Sequence, residues 1–573
     1  MKIASNLLGS RHIIDECGGL SAKTLTKSAF IFLFSYVILF LGMSLRPSIY
    51  DEGIVLTAAM RVAAGQIPHR DFYTNYGPAQ YYVLAGLFKL FGQSMLVERL
   101  YDLMIRALVV TSVYTIASSY CRRSVALFTS SVTVLWLFGL NFLNPGAAAL
   151  PVSLLNLVGC ALVLPTFLSA ISTRRMLAAG SVAGLAAMFR YDTGVALLVI
   201  HACFVMIAIY LSSKSKSDTP RIFASTFCPY LLGFAIVALP PTLYYLSVAT
   251  LHPFIHDIIL YPVKYYRRGR SLPFPPIPVN GIENLADYLP IAIIGISLYV
   301  AIVRRFKVHK STKLNPEGIP KEQEMRGFLI MFGLLALAMY LKGFVRISPV
   351  QLYLCTVPSL LLLAVLFQHR MTLPRSLHFS ITCLVWLSVL AATSSSIHAI
   401  QAQCGQHSFV LESLLSSARQ TTPEAKTAWC RVTNALTKGL CFTPEDDRIQ
   451  TIEFIDNHTR PGQPLFVGLA KHDKIFANDN LIYFAAQRLP ATRWSQFDPD
   501  LQNREDIQRQ MVHELEVTTP PYVVLDSEFE LLHEPNDSSI STGVTLLDEY
   551  LHGKYKHIET FGTLSIWQWI NAP

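Results

Sequence analysis

A polytopic α-helical membrane protein with a C-terminal α/β domain on its outer face is the fold class that the sequence predicts. Three observations predict it. Apolar runs long enough to cross a bilayer recur through the first two thirds of the 573 residues. Lys and Arg collect in alternate connecting loops, as the positive-inside rule requires. Near Gln401 the texture changes, and helical and strand patterns begin to alternate. Composition agrees: 52% of residues are hydrophobic and 15% charged, with a mean hydropathy of +0.39, whereas a soluble domain is about a quarter charged.

The predicted spans, in order, are Ala29–Leu45, Leu103–Tyr120, Val125–Asn141, Ala147–Ile171, Met176–Phe189, Thr193–Leu211, Phe223–Tyr245, Tyr288–Val303, Phe328–Leu341, Val350–Phe367 and Leu377–Ala392, about eleven crossings. The polar start lacks the layout of a cleavable leader, so the first run reads as a retained anchor. Orientation comes from the loops that carry Arg122-Arg123, Arg174-Arg175, Lys214/Lys216/Arg221, Arg304-Arg305 with Lys307, Lys310 and Lys313, and Arg370/Arg375. With Lys2, Arg11, Lys23 and Lys27 of the tail, these are expected on the cytoplasmic side. The expected organisation is a cytoplasmic tail (1–28), a transmembrane domain (29–395) with long outer loops at 46–99 and 251–287, and an outer α/β domain (396–573). A bacterial inner membrane with a periplasmic C-terminal domain suits that layout better than an endoplasmic reticulum.

Within the first outer loop, "IVLTAAMRVAAG" reads as a helix on the membrane surface, stopped by Gly65 and Pro68. "GPAQYYVLAGLFKLFG" reads as a second one, opened by Pro78 and closed by Gly92. In the last domain, "RIQTIEFIDNHT" and "NREDIQRQMVHELEV" have helical periodicity, and "PLFVGLA", "YVVLD" and "LSIWQW" read as strands. No glycine-rich phosphate loop is present, and nothing points to nucleic acid. Ten cysteines lie without metal-like spacing. Cys404, Cys430 and Cys441 fall in the outer domain, where Cys430 and Cys441 are the more plausible disulfide pair. Asn457 and Asn536 stand in glycosylation sequons, which matter only in a glycosylating lumen.

Two adjacent acids, Asp51 and Glu52, follow the first span. The local pattern Ser48-x-x-Asp51 resembles a capping box, which would make Asp51 a helix cap. Position argues for chemistry instead, because the pair sits outside, beside a surface helix. The surrounding series is Gly65-Gln-Ile-Pro68-His-Arg70-Asp71-Phe72, then Tyr76-Gly-Pro78-x-x-Tyr81-Tyr82, then "LFKLFG" and Glu98-Arg99-Leu100. In order and spacing, this first hundred residues resembles the GT-C superfamily of integral membrane glycosyltransferases, most closely bacterial relatives of the protein O-mannosyltransferases and the aminoarabinose transferases.

That resemblance implies a sugar donor linked to polyprenyl phosphate and an envelope glycan, lipid or protein acceptor. A phosphate leaving group needs no general acid, so one carboxylate suffices as base in direct inverting displacement, unlike the carboxyl pair of a glycosidase. By its match to the family's first-loop acid, Asp51 is the expected base. Glu52 is expected as its supporting partner or as an alternative base. Arg70, Asp71 and Tyr76 are expected to support the site.

The departing phosphate calls for positive charge from Arg, Lys or a divalent cation. Lys264, Arg267, Arg268 and Arg270 run against the positive-inside trend beside Tyr261, Tyr265 and Tyr266, and Lys264, Arg267 and Arg270 are the expected phosphate ligands. Arg270 is favoured because relatives often carry an Arg before Leu-Pro. A basic anchoring patch is the plainer alternative. Arg190 and Asp192 lie at one outer helix end and read either as site residues or as a structural pair. Lys342 and Arg346 lie at another and are further phosphate candidates. Relatives often have an Asp and a His just beyond this Arg; here Ser348 and Gln351 stand instead. His252, His256 and Asp257 lack a convincing further ligand, so the metal question stays open. A lipid-linked glycan flippase or a non-catalytic envelope scaffold are the competing functions. The near absence of acids in the span centres speaks against ion-driven transport.

Overall fold

A computed structural model describes residues 22–49, 51–143, 150–167, 172–212, 219–248, 251–275, 285–302, 321–348, 351–370, 373–403, 410–411 and 446–570. Cys404, Cys430 and Cys441, with most of the lysines assigned to cytoplasmic loops, lie outside the described residues.

Helix α1 (Ala22–Leu41) is followed by two shorter helices, α2 (Asp51–Ala63) and α3 (Ala79–Phe91). Then come α4 (Met95–Tyr120), α5 (Arg123–Leu143), α6 (Leu150–Val163), α7 (Thr173–Phe189), α8 (Tyr191–Ser212) and α9 (Thr219–Val248). After a broken helical stretch follow α12 (Leu285–Ile302), α13 (Lys321–Gly343), α14 (Tyr353–His369) and α15 (Arg375–Gln403). The stretch itself consists of α10 (Leu251–Ile255), two five-residue π turns and α11 (Arg267–Arg270). Such wide turns are rare and re-aim side chains locally.

By length and hydropathy, seven of the described helices suit a membrane crossing: Met95–Tyr120, Arg123–Leu140, Leu150–Phe167, Tyr191–Leu211, Pro220–Val248, Gln323–Gly343 and Arg375–Gln401. Three more, at Leu25–Leu41, Asp287–Ile302 and Tyr353–His369, are apolar but shorter. The chain is therefore a polytopic α-helical membrane protein, with fewer helices of full spanning length than the eleven apolar runs lead one to expect. The difference is physical. A 17-residue helix such as α14 rises about 26 Å, under the ~30 Å hydrocarbon core. Lipid-facing side chains remain exposed along the bundle, among them Phe30, Leu33, Leu232, Leu243 and Phe379.

The two predicted surface helices differ. α3 keeps Leu90 and Phe91 exposed, as an interfacial helix should. α2 does not lie open on a surface, because nearly all of it is buried. It packs against α3 and under the C-terminal domain: the Thr57 hydroxyl donates to the Asn480 carbonyl at 2.7 Å, and a Cβ on Gly53 would come 3.0 Å from the Leu481 nitrogen. Its apolar residues find partners within the chain rather than in lipid.

The C-terminal domain contains α16 (Asp446–His458), α17 (Leu481–Ala485), α18 (Glu505–Thr518) and α19 (Leu546–Lys554), with β1 (Phe466–Leu469), β2 (Tyr522–Asp526), β3 (Tyr555–Phe561) and β4 (Leu564–Trp569). The sheet order is β1-β2-β4-β3, with β1 and β2 parallel and the remaining pairs antiparallel. Strands β1, β2 and β4 fall where the sequence predicts them. β3 was not legible, because only Tyr555 is buried and its other residues, mostly polar, are exposed or half-buried.

At the end of β2, Asp526 is 1% exposed, with one oxygen accepting from the Glu528 amide at 2.8 Å and the other without a hydrogen-bond partner. Burial pushes this carboxyl up to about 6. The folded state thus holds the proton more tightly than the unfolded one, so this contribution is present at low pH and lost as pH rises from about 4 to about 6. Thermal unfolding of Asp526→Asn is expected to lack that loss, a gain over the parent of about 2–3 kcal/mol at neutral pH.

Candidate active site

Glu52, not Asp51, meets the Ser48 amide just ahead of α2. Its Oε2 accepts from the Ser48 amide at 2.7 Å, while the Gly53 amide reaches the Ser48 carbonyl at 3.1 Å. Glu52 is fully buried and is gripped by Arg99 of α4, whose Nη2 donates to Oε2 at 2.8 Å and whose Nε donates to Oε1. Arg99 also binds the carbonyls of Ser44 and Arg46, at 2.8 and 2.9 Å. Of the two roles expected of Glu52, a carboxylate at the centre of a dry ion pair fits the supporting one better than that of a base.

Asp51 is thereby left half-buried at the helix N-terminus, where the peptide dipoles favour a carboxylate. Its Oδ1 accepts from the Tyr76 hydroxyl at 2.9 Å. Burial, with the Asp51 charge beside it, pushes the Tyr76 phenol well above its usual range, so it stays protonated and donates. Tyr76 is held by its neighbour Gly77, whose amide donates to the Phe189 carbonyl at 3.1 Å. A Cβ on Gly77 would run into the carbonyl oxygens of Met188 and Phe189. Gly77→Ala is expected to cost about 1–3 kcal/mol by forced backbone shifts, read as a lower unfolding temperature.

Cationic groups approach from other helices. The Arg190 guanidinium, between α7 and α8, lies 5.4 Å from the centre of the Tyr76 ring. It reaches Asp192 at 3.4 Å, and Asp192 in turn meets Lys342 Nζ at 3.1 Å. Lys342, at the end of α13, also donates to Thr193 Oγ1 at 3.2 Å. The sequence placed these three residues at two separate helix ends, and the structure joins them in one chain with a net positive charge. Tyr353, at the start of α14, is within electrostatic range of both Asp51 and Arg190, and its hydroxyl is buried without a hydrogen-bond partner. No motif marks it.

A second ion pair stands on the far side of Tyr266, whose ring hydroxyl is in electrostatic range of Asp51, Arg190, Arg270 and Asp498. Arg270 Nη2 donates to Asp498 Oδ1 at 3.1 Å. Asp498 Oδ2 accepts from Gln496 at 3.0 Å, Tyr73 at 3.3 Å and Asn75 at 3.4 Å. Sequence reasoning missed Asp498 because it arrives from the last domain, more than four hundred residues from Asp51. Of the basic run, only Arg270 is drawn inward; Lys264, Arg267 and Arg268 stay exposed, with Lys264 5.2 Å from the Tyr265 ring centre.

Other expected site residues are engaged elsewhere. Arg70 and Asp71 bind each other at 2.7 and 2.8 Å, and Asp71 accepts from the Ile67 amide at 2.8 Å, closing a turn. Arg346 meets Glu534 of the C-terminal domain through two hydrogen bonds of 2.6 and 2.8 Å, so any phosphate there must displace a carboxylate. Burial opposes the Glu534 charge, but the bonds from Arg346 and Asn536 win and hold its carboxyl below the usual range. Asp257 accepts contacts from His69 at 3.1 Å and His256 at 3.2 Å. Among the described residues no three His, Cys, Asp or Glu side chains form a set that would hold a metal ion.

No family model matches the sequence, and no curated protein matches it. Solved structures do. ArnT from Cupriavidus metallidurans bound to undecaprenyl phosphate superposes with a TM-score of 0.54 at 12% identity, over 96% of this chain and 98% of that one. The archaeal oligosaccharyltransferase AglB from Archaeoglobus fulgidus, in complex with an inhibitory peptide and a dolichol-phosphate, gives 0.50 at 13% identity, over 96% of this chain and 75% of that one. The fold is GT-C-like. Within that GT-C-like frame, the Asp51 group lies where the first loop, the α7–α8 junction and the end of α13 converge, and the C-terminal domain adds Asp498 to its edge.

Proposed function

We propose that the chain is an inverting glycosyltransferase of the GT-C type. It moves a sugar from a polyprenyl-phosphate carrier to a hydroxyl of an envelope glycan, lipid or protein at the outer face of the membrane. The observation that carries this reading is the half-buried Asp51 carboxylate, held by the Tyr76 hydroxyl and faced by the Arg190–Asp192–Lys342 chain. The GT-C-like fold shared with ArnT and AglB supports it.

In this mechanism Asp51 takes the proton of the acceptor hydroxyl as its oxygen attacks the anomeric carbon. The bond from that carbon to the phosphate oxygen breaks, and the electron pair leaves with polyprenyl phosphate. Arg190 and Lys342 meet the charge that develops there. Asp192 holds the two cations side by side, and the Tyr76 hydroxyl orients the Asp51 carboxylate. Arg270, fixed by Asp498, lines the side nearest Tyr266.

Eleven helices, the seven long ones with α1, α7, α12 and α14, cross the membrane in this reading, the short ones shielded by neighbours. The N-terminus is cytoplasmic and the C-terminal domain periplasmic, in a bacterial inner membrane. The test is the protein reconstituted in lipid with a panel of polyprenyl-phosphate sugars. Release of polyprenyl phosphate with an inverted product is expected, and intact donors across the panel would sink the proposal. Transfer is expected to survive a chelator, because Arg190 and Lys342 already stand at the site. In the same assay Tyr76→Phe is expected to lower transfer about tenfold, the value of one hydrogen bond of roughly 1.4 kcal/mol.

A further inference from the structure

The 527–540 segment of the C-terminal domain exposes apolar side chains that none of the described residues covers: Leu531 is 96% exposed and Ile540 61%. An isolated exposed leucine needs no explanation, but the position of this one does. Glu534 is tied to Arg346, three residues beyond the end of α13, by two hydrogen bonds of 2.6 and 2.8 Å. Asn536 is tied to the Ser271 carbonyl at 3.0 Å. Leu532 stands two residues from Glu534, so the two Cα atoms lie within about 7 Å of each other. The leucines are therefore held close to the end of α13, a helix long and apolar enough to cross a bilayer. The exposed apolar belt of that helix, Leu341 and Phe344, continues into Phe274, whose ring centre is 5.9 Å from that of Phe344.

We propose that Leu531 and Leu532 insert among the lipid headgroups, making this segment a membrane-contact surface of the C-terminal domain. The exposed guanidinium-bearing residues Arg267 and Arg268 belong to α11, which packs on the Asp537–Ser539 turn of the same segment. Cations flanking an apolar tip match the interfacial layer, where aliphatic groups reach inward and Arg meets lipid phosphate. The acids Glu528, Glu530 and Asp537 bracket the tip and keep the contact shallow. The result is a second anchor for the domain, separate from its polar docking on α2.

Depth-dependent fluorescence quenching in proteoliposomes tests this, with the signal of the six native tryptophans subtracted using the parent protein. Leu531→Trp changes a side chain that is almost wholly exposed, so folding is not at issue. Its added emission is expected to be blue-shifted, quenched by phosphatidylcholine brominated near the headgroup end of its acyl chains, and spared by aqueous acrylamide. Ile558→Trp, on the opposite edge strand β3, is the control and is expected to show the reverse. Red-shifted Leu531→Trp emission quenched by acrylamide would place the tip in water and overturn the proposal. So would shielding from both quenchers, which would mean a protein partner or a second copy covers it.

Discussion

Asp51→Asn is expected to abolish sugar transfer while leaving the protein folded. The asparagine oxygen still accepts from Tyr76, and the side chain keeps its shape, so the change removes a base and little else. General-base catalysis contributes about 10²–10⁴-fold, and a loss of that size in kcat is the expected result. The donor KM should move little, because the phosphate end is met by Arg190 and Lys342 rather than by Asp51. Unchanged yield and unfolding temperature are the necessary companions of the result. Transfer that persists within a few-fold of the parent would remove Asp51 from the mechanism.

Glu52→Ala, one residue along, is expected to fail in the opposite way. Arg99 is 1% exposed at its side chain, and Glu52 receives two of its hydrogen bonds. Deleting the carboxylate leaves a guanidinium in a dry site and frees the Ser48 amide that Glu52 binds. Breaking a buried pair in this manner costs about 3–5 kcal/mol, and the lost bond to the Ser48 amide adds about 1 kcal/mol. Glu98, 3.8 Å from Arg99, offsets part of the charge imbalance but has no geometry to restore that bond. The measurement is the folded fraction recovered from membranes together with the unfolding temperature. A Glu52→Ala protein that is as stable as the parent, yet inactive, would reverse the roles assigned to the two acids.

The membrane helices were legible because hydropathy follows residue by residue from the bilayer. Every predicted span overlaps an observed helix, and errors fall at the ends, as where α4 begins at Met95 rather than Leu103. Asp51 was legible from its place after the first span. Its division of labour with Glu52 was not, since nothing in Ser48-x-x-Asp51-Glu52 says which acid turns back to the Ser48 amide; Arg99, forty-seven residues on, decides it. Lys342 and Asp192 were visible singly and invisible as a pair, because packing of α13 on α8 brings them together. The partner of Arg346 was hidden for the same reason, since Glu534 lies in another domain. Asp498 and Tyr353 carry no local signature at all.

The buried Arg61 of α2 extends this dependence on distant chain into time. Its guanidinium, drawn down to about 10 by burial, donates to the Thr492 carbonyl at 3.2 Å and Ser495 at 3.1 Å, and stacks 4.7 Å from the Phe72 ring. Those acceptors are made by the ribosome after every membrane helix has been synthesised. Until residues 478–495 have emerged and reached α2, the helix that presents Asp51 lacks its cover, and its arginine has only the local acceptors Gln66 and the Asp71 carbonyl. The cover of the helix that carries Asp51, and Asp498 at the edge of the site, are thus the last parts to be added.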